Sequence, residues 1–420
     1  NSFEFSKSDI EFLRELGYEE DFLEYLSTMK FTGNIRSVKE GEIIFANEPL
    51  LRIEAPLIQA QIMETAILNI VNYQILIATK AARIKHLCPD EVCMEFGTRR
   101  AHEFDAAIWG TRASIIGGFD ATSNVKAAKL FNIPCSGTHA HSFVQAYEDE
   151  EVAFKKYAAA HKDCYFLVDT YDTLRSGIPT AIKVADELKD KINFHGIRLD
   201  SGDIAYLSKE ARKMLDEAGY PNAKIVASND LDEDTITHLK QEGACIDAWG
   251  VGTKLITAYD NPALGAVYKL SCLENDNGEM IDRLKVSENP AKLTVPGVKR
   301  VYRIINTDTG MAAGDYIALE KEDVNAEQSI KLFHPTHTYL AKEVENFKAI
   351  DIHEDIFVNG KQVYEVPTVQ ESAKYFQQNK GLLWNEYLRL LNPEFYPVDL
   401  STKCWENRKE ILERVTKKSK

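Results

Sequence analysis

Gly137-Thr138-His139-Ala140-His141-Ser142 follows the short apolar run Ile133-Pro134-Cys135. A strand that ends in Gly-Thr and opens onto two histidines puts polar chemistry at its carboxyl edge. Apolar strand cores recur on both sides, at Val92–Met94, Ala113–Ile116, Tyr165–Val168, Phe194–Ile197, Lys224–Ala227 and Ile246–Trp249. Helical stretches fall between them, over 124–131, 178–188, 205–217 and 233–242. Strand, polar turn and helix in that rhythm predict a parallel sheet with helices outside. Seven strands in succession, with Ile133–Cys135 as the third, favour a barrel or an incomplete barrel over an open doubly wound sheet. All strand ends of such a barrel face one mouth, where its chemistry is kept. His141 is read as the centre of that mouth.

The flanks keep a different rhythm. Ser8-Asp9-Ile10-Glu11 fits a capping box, and Ile10, Leu13, Leu16, then Phe22, Leu23, Leu26, predict two short helices broken at Gly17-Tyr18. Phe31–Ile35, Glu42–Ala46 and Leu50–Glu54 read as strands. A long apolar helix follows from Leu57, its run to Ala82 interrupted by Gln59, Gln61, Glu64, Asn69, Asn72 and Lys80, and is expected to be buried rather than to span a membrane. After Trp249 the alternation ends. Leu264 to Arg303 is strand-like, with a polar loop at Glu274–Gly278 and the run Lys285–Lys292. Val301–Ile305 is expected to pair with Tyr316–Leu319 across the turn Asn306–Gly310. Glu371–Leu391 reads as a helical packing face, and Lys417-Lys418-Ser419-Lys420 as a solvated end. The expected domains are 1–91, a flanking α/β part, 92–263, the barrel, and 264–420, which completes the flank.

Composition narrows the function classes. The 420 residues carry 65 acidic and 50 basic side chains, a formal charge of −15, which argues against a general nucleic-acid or anionic-membrane binder. Any phosphate must then be held by a local pocket. Seven dispersed cysteines without a Cys-x-x-Cys pair fit a reducing, cytoplasmic setting.

The turns at the strand ends carry the chemistry. Glu95-Phe96-Gly97-Thr98-Arg99-Arg100 offers paired arginines to a phosphate or carboxylate, or surface pairs with Glu103 and Asp105. Gly117–Asn124 opens a helix with free amides and small hydroxyls, suiting an anion or a planar ring. Of His139 and His141 only one is expected to reach the mouth, and no further ligands suggest zinc. His334-Pro335-Thr336-His337 reads as a turn cap. Asp169-Thr170-Tyr171-Asp172 supplies a carboxylate able to orient an imidazole. Arg198-Leu199-Asp200-Ser201-Gly202-Asp203 suits a sugar diol or a magnesium-bridged diphosphate. Ser228-Asn229-Asp230 is the sixth turn, and Gly250-Val251-Gly252-Thr253-Lys254 can close backbone N–H groups on a phosphate. Together they point to a phosphorylated sugar with an aromatic or acidic co-substrate.

These turns, with the stretch Tyr396–Ser401, resemble nicotinate phosphoribosyltransferase in order and spacing over nearly the whole chain. The resemblance implies a type II phosphoribosyltransferase, an incomplete, irregular TIM-like α/β barrel with a flanking α/β domain built from both chain ends. It implies joining of nicotinate to phosphoribosyl pyrophosphate, giving nicotinate mononucleotide and pyrophosphate in NAD salvage. ATP drives the family's reaction through a phosphohistidine, which by motif matches His141, and Mg²⁺ accompanies the pyrophosphate.

By the same resemblance Phe96 stacks on the pyridine ring with Arg99 beside it, Arg198 clamps the pyrophosphate, and Asp200 meets the ribose or the metal. Ser201, Gly202 and Asn229 belong to that site, Gly250, Gly252 and Thr253 hold the 5′-phosphate, and Asp169 orients His141. No dedicated metal site is expected. In nicotinamide-using relatives an Asp stands where Ser123 falls, so Ser123 is expected to favour nicotinate, or else only to cap the following helix. A homodimer with active sites at the subunit boundary is implied. The family's opening segment, with its Leu-Leu-Thr-Asp-x-Tyr-like motif, is not found before Asn1-Ser2, so the first part of the flanking domain is expected to be missing. The rivals are a nicotinamide phosphoribosyltransferase, a quinolinate phosphoribosyltransferase with a more basic pocket, and a non-catalytic homologue acting through its interface.

Overall fold

Residues 3–286 and 294–418 are described by a computed structural model. The chain forms two compact units. One comprises Asn69–Ala266 with Thr368–Gln377, the other Asn1–Leu68, Val267–Pro367 and Gln378–Lys420.

The first unit is built on six strands: β1 (Val92–Glu95), β2 (Ala121–Thr122), β3 (Asp163–Leu167), β4 (Asn193–Leu199), β5 (Lys224–Asn229) and β6 (Ala248–Val251). Their order is β2-β1-β6-β5-β4-β3, and every pairing is parallel. This is the cyclic order of a barrel opened at one seam, between β2 and β3. Strand side chains alternate between two faces. Phe166, Ile197, Leu199, Ile225 and Trp249 go into the core shared with the helices, among them Ile178–Leu188 and Ile204–Glu217. Met94, Ala121, Val226 and Ala248 line the concave face with smaller bulk, leaving a cavity of about 490 Å³ that runs from Asp90 and Lys224 to Phe96 and Thr138.

Two of the seven expected strands are not strands. Ala113–Ile116 closes the helix Phe104–Ile116, where every residue from Gly110 to Ile116 is buried. A helix end that is buried all round can give the same short apolar run as a strand core. The strand of this region is β2, inside the stretch read as a turn. Ile133–Cys135 contributes a single parallel bridge, Thr122 to Cys135.

The long apolar helix is two pieces, Leu57–Ile62 and Glu64–Leu87. The expectation that it is buried fails. Only 11% of its most apolar window is covered, with Leu57, Ile58 and Ile70 exposed, and by length and composition it is a candidate to cross a membrane. Its later turns bury Leu76, Ile77, Ala81 and Ile84 in the sheet unit's core. That unit therefore starts at Asn69, ahead of the 92–263 span expected for the barrel.

The other unit has two four-stranded sheets. One orders Lys361–Gln362, His353–Val358, Asn34–Val38 and Leu51–Glu54; the other Phe347–Asp351, Lys299–Asn306, Ala312–Leu319 and Val398–Leu400. Val301 pairs with Ile317 and Tyr302 with Tyr316, as expected. Glu42–Ala46 is no strand: the Ile43 carbonyl accepts from the buried Arg303 guanidinium at 2.6 Å, and Glu42 and Asp315 pair with the same cation. The first helix is capped by Ser6 rather than Ser8, with Asp9 closing the box. Glu371–Leu391 divides into the ends of Val369–Lys380 and a short helix Asn385–Leu388, and Leu391 is exposed. Of the run Lys285–Lys292, residues 287–292 lie outside the described residues, as do Ser419 and Lys420 of the tail.

Candidate active site

The carboxyl ends of β1 to β6 carry the expected turns. Backbone bonds fix neighbouring ends: Phe96 N–H donates to the Val251 carbonyl at 2.8 Å, Ser123 N–H to Glu95 at 3.0 Å, and Val168 N–H to Arg198 at 3.2 Å.

The two histidines separate as expected. His139 is buried, accepts the Leu167 N–H on Nε2 at 3.1 Å, and packs among Phe143, Phe154 and Tyr157. Burial drops its pKa to about 4, so it is a neutral core residue. His141 starts the helix His141–Gln145 with its side chain 37% exposed. Its Nδ1 lies 3.1 Å from the Thr170 hydroxyl, and its Nε2 lies 3.6 Å from Asp200 Oδ2 and 3.9 Å from Asp169 Oδ1.

Asp169 therefore does not orient the imidazole by a direct hydrogen bond. Its Oδ2 accepts the Asp200 N–H at 3.0 Å and the Ser201 hydroxyl at 2.6 Å, while its buried Oδ1 has no hydrogen-bond partner among the described residues. It builds the Arg198–Gly202 turn, in which Gly202 adopts φ +79°. Thr170 holds the ring, and nothing in the Asp169-Thr170 pair as a motif favours the hydroxyl over the adjacent carboxylate.

Arg198 is held at three points. Nε donates to Ser228 Oγ at 2.8 Å, Nη1 to Thr138 Oγ1 at 2.9 Å and Nη2 to Asp200 Oδ1 at 2.8 Å. Its guanidinium lies 5.6 Å from the Phe96 ring centre. Ser228 also donates to Asp200 Oδ1. Burial works to raise the Asp200 carboxyl, but Arg198, Ser228 and His141 outweigh it and hold it below the ordinary range. Asn229, at the end of β5, is exposed with φ +136°, and its own side-chain oxygen accepts the Asp230 N–H.

Phe96 lies across the glycine turn. A Cβ on Gly250 would stand 2.6 Å from two Phe96 ring carbons, so glycine there makes room for the ring. Gly252 precedes the short helix Thr253–Ile256 and lies against the Phe96 backbone. Lys254, just beyond, is engaged with Asp232. Arg99 is exposed on a 3₁₀ turn, Thr98–Arg100, and among the described residues it forms no ion pair with Glu103 or Asp105. Ser123 is exposed, its hydroxyl 3.4 Å from the Glu95 carbonyl. It is not the helix cap. Asn124 caps Val125–Phe131 by accepting the Ala127 N–H.

Glu95 carries no functional signal of its own in the sequence. It is fully buried, and burial raises its pKa against hydrogen bonds from Thr122, Gly97 and Thr111. His334 Nδ1 caps its own turn by accepting the Thr336 and His337 N–H groups. No group of three or more metal-ligating side chains occurs among the described residues. The Asp200 Oδ2, 3.6 Å from His141 Nε2, is a hard oxygen of the kind a magnesium ion takes alongside ligands from a diphosphate and water.

Three family models cover most of the chain: the nicotinate phosphoribosyltransferase N-terminal domain over residues 1–72, the family's central region over 92–287, and its C-terminal domain over 298–408. A nicotinate phosphoribosyltransferase of Bacillus subtilis is 62% identical over 415 residues, 99% of this chain and 84% of the relative. One from Caenorhabditis elegans is 34% identical over 96% of this chain and 82% of its own. Among solved structures, human nicotinic acid phosphoribosyltransferase superposes with a TM-score of 0.84 at 27% identity, covering 97% of this chain and 89% of that one.

Proposed function

The chain belongs to the nicotinate phosphoribosyltransferase family, and from that membership we propose how its strand-end turns carry out the family's step in NAD salvage. The enzyme joins nicotinate to phosphoribosyl pyrophosphate. The pyridine nitrogen attacks the ribose C1, the bond from C1 to the pyrophosphate oxygen breaks, and pyrophosphate leaves with that electron pair. Phe96 stacks on the ring, Arg99 and Ser123 meet its carboxylate, and Arg198 faces the leaving group. Arg198 needs no reorganisation, because Thr138, Ser228 and Asp200 already fix its plane. Gly250, Gly252 and Thr253 receive the 5′-phosphate, and Ser201, Gly202 and Asn229 border the ribose. Asp200 would hold a Mg²⁺ that arrives with the diphosphate, and the ion would supply neutralisation of charge on the leaving oxygens.

ATP couples through His141. The two carboxylates facing Nε2 favour a proton there, which leaves the Nδ1 lone pair beside Thr170 as the nucleophile. A nitrogen–phosphorus bond forms as the bond to ADP breaks, and water later returns the phosphoryl group as phosphate. The observation that carries this reading is the placing of His141 beside Asp200, whose other oxygen is held by Arg198. The charge of a phosphohistidine is then felt where pyrophosphate binds.

The exposed apolar residues Leu57, Ile58 and Ile70 support a homodimer, with a second copy rather than a bilayer over that helix, and seven free cysteines support a cytoplasmic enzyme. The test of the reading is a product assay with radiolabelled nicotinate, run with and without ATP, beside acid-labile ³²P incorporation. Nicotinate mononucleotide formation stimulated by ATP is expected. Product without any protein-bound phosphate removes the phosphohistidine step, and no product removes the assignment.

A further inference from the structure

The nicotinate slot proposed above has two walls on different strand ends, and one buried group touches both. Glu95, the last residue of β1, has no exposed surface. One carboxyl oxygen accepts the Gly97 N–H, at the foot of the Phe96–Arg99 wall. The other accepts the Thr122 hydroxyl at 2.7 Å and lies 2.9 Å from the Thr111 hydroxyl. Its backbone carbonyl takes the Ser123 N–H at 3.0 Å.

The second wall hangs on Thr122. Its hydroxyl accepts the Asn124 N–H at 2.9 Å while donating to Glu95, and Asn124 in turn caps the helix that follows Ser123. Thr111 has an alternative acceptor in the Ala107 carbonyl at 2.8 Å. Thr122 has only the Glu95 backbone carbonyl besides, at the long distance of 3.5 Å, so its proton goes chiefly to the Glu95 carboxyl oxygen at 2.7 Å.

We propose that Glu95 is the positioning residue of the nicotinate slot, setting the distance between the Phe96–Arg99 wall and Ser123 by binding Gly97 and Thr122 at once. This rests on the assignment of that slot to nicotinate. A buried carboxyl that only satisfied the core would affect both substrates and stability together. A positioning role acts on the pyridine carboxylate alone, because the Arg198 clamp shares no hydrogen bond with Glu95.

Glu95→Gln separates the two. The amide oxygen can keep the Gly97 bond and the amide N–H can donate to Thr111, but the Thr122 proton loses its close acceptor and keeps only the backbone carbonyl of residue 95 at 3.5 Å. The expected result is a nicotinate KM raised roughly tenfold with reduced discrimination against nicotinamide, while the KM for phosphoribosyl pyrophosphate and His141 phosphorylation stay within about twofold. Thr122→Val should reproduce the effect and Thr122→Ser should restore wild-type behaviour. Amide hydrogen exchange in the same variants should quicken at 122–124 and not at 200–203. A folded Glu95→Gln enzyme with unchanged nicotinate KM, or with both KM values raised in parallel, overturns the proposal. Should the wild type fail to use nicotinate, the slot assignment falls on that result, and unchanged exchange at 122–124 would separately remove the Glu95 coupling.

Discussion

The Thr170 hydroxyl stands 3.1 Å from His141 Nδ1, on the side of the ring away from the Asp169 and Asp200 carboxylates that face Nε2. The ring is thus held by a neutral group on one edge and faced by charge on the other. His141→Ala is expected to leave ribosyl transfer measurable at high substrate, because Arg198 and the glycine turn still bind. Its dependence on ATP should disappear, along with acid-labile phosphate on the protein. The control is His139→Ala, which empties a buried site among aromatic rings and leaves the Leu167 N–H unpaired. That change should cost about 2–4 kcal/mol in denaturant unfolding and still permit phosphorylation. Phosphate incorporation that survives His141→Ala would identify a different acceptor.

Ser123→Asp tests selectivity without touching the helix cap, which is Asn124. A carboxylate at 123 would repel the nicotinate carboxylate and accept hydrogen bonds from an amide. Nicotinate turnover should fall by about tenfold or more while nicotinamide turnover holds or rises, with the melting temperature nearly unchanged. Unaltered nicotinate kinetics would take Ser123 out of the slot.

Gly250→Ala should act on Phe96. The added methyl would meet two ring carbons at 2.6 Å, and the ring is the softer partner, since Ser228 Cβ is a further 3.4 Å contact. Displacing the ring should raise the nicotinate KM on the order of tenfold, with a smaller change for phosphoribosyl pyrophosphate. Steady-state kinetics with each substrate varied in turn reads the difference.

Glu48 gives a pH dependence of known sign. It is buried beside Asp315, and burial, then the Asp315 charge, push its pKa far above the ordinary carboxylate range. The folded chain keeps the proton, whereas the unfolded chain releases it above about pH 4.3. Its contribution to stability is present below that pH and is lost progressively as pH rises toward the folded value. Glu48→Gln removes the proton uptake, so its melting temperature should match the wild type near pH 4 and exceed it increasingly toward pH 8. Parallel melting curves across that range would show Glu48 ionised in the fold.

The strand ends were legible because their turns carry charge or glycine next to apolar runs, as at Leu199-Asp200-Ser201-Gly202-Asp203 and Val226-Ala227-Ser228-Asn229-Asp230. Ala113–Ile116 was not, since its helix is buried on every side from Gly110 to Ile116 and shows no solvent face there to set its period. Glu42–Ala46 alternates like a strand, yet its backbone serves the Arg303 guanidinium, a partner hundreds of residues away in the chain. Within the site, the side chains a motif reading selects, His141, Arg198 and Asp200, do converge. The residues that hold them, Thr138, Thr170 and Ser228, are small, and Glu95, which ties Gly97 to Thr122, is buried; their roles come from spatial neighbours that spacing does not reveal.

The strand order has a bearing on how the enzyme comes into being. β6 lies between β1 and β5, pairing Val92 with Ala248 and Val226 with Ala248 from opposite sides. During synthesis β3, β4 and β5 can zip together as they emerge, and β1 with β2 likewise, but the two halves share no ladder until β6 arrives. Contacts so distant in sequence form late and slowly. Phe96 and the Gly250–Thr253 turn meet only at that final insertion, so a nascent chain has no substrate pocket to fill until its last sheet strand is released.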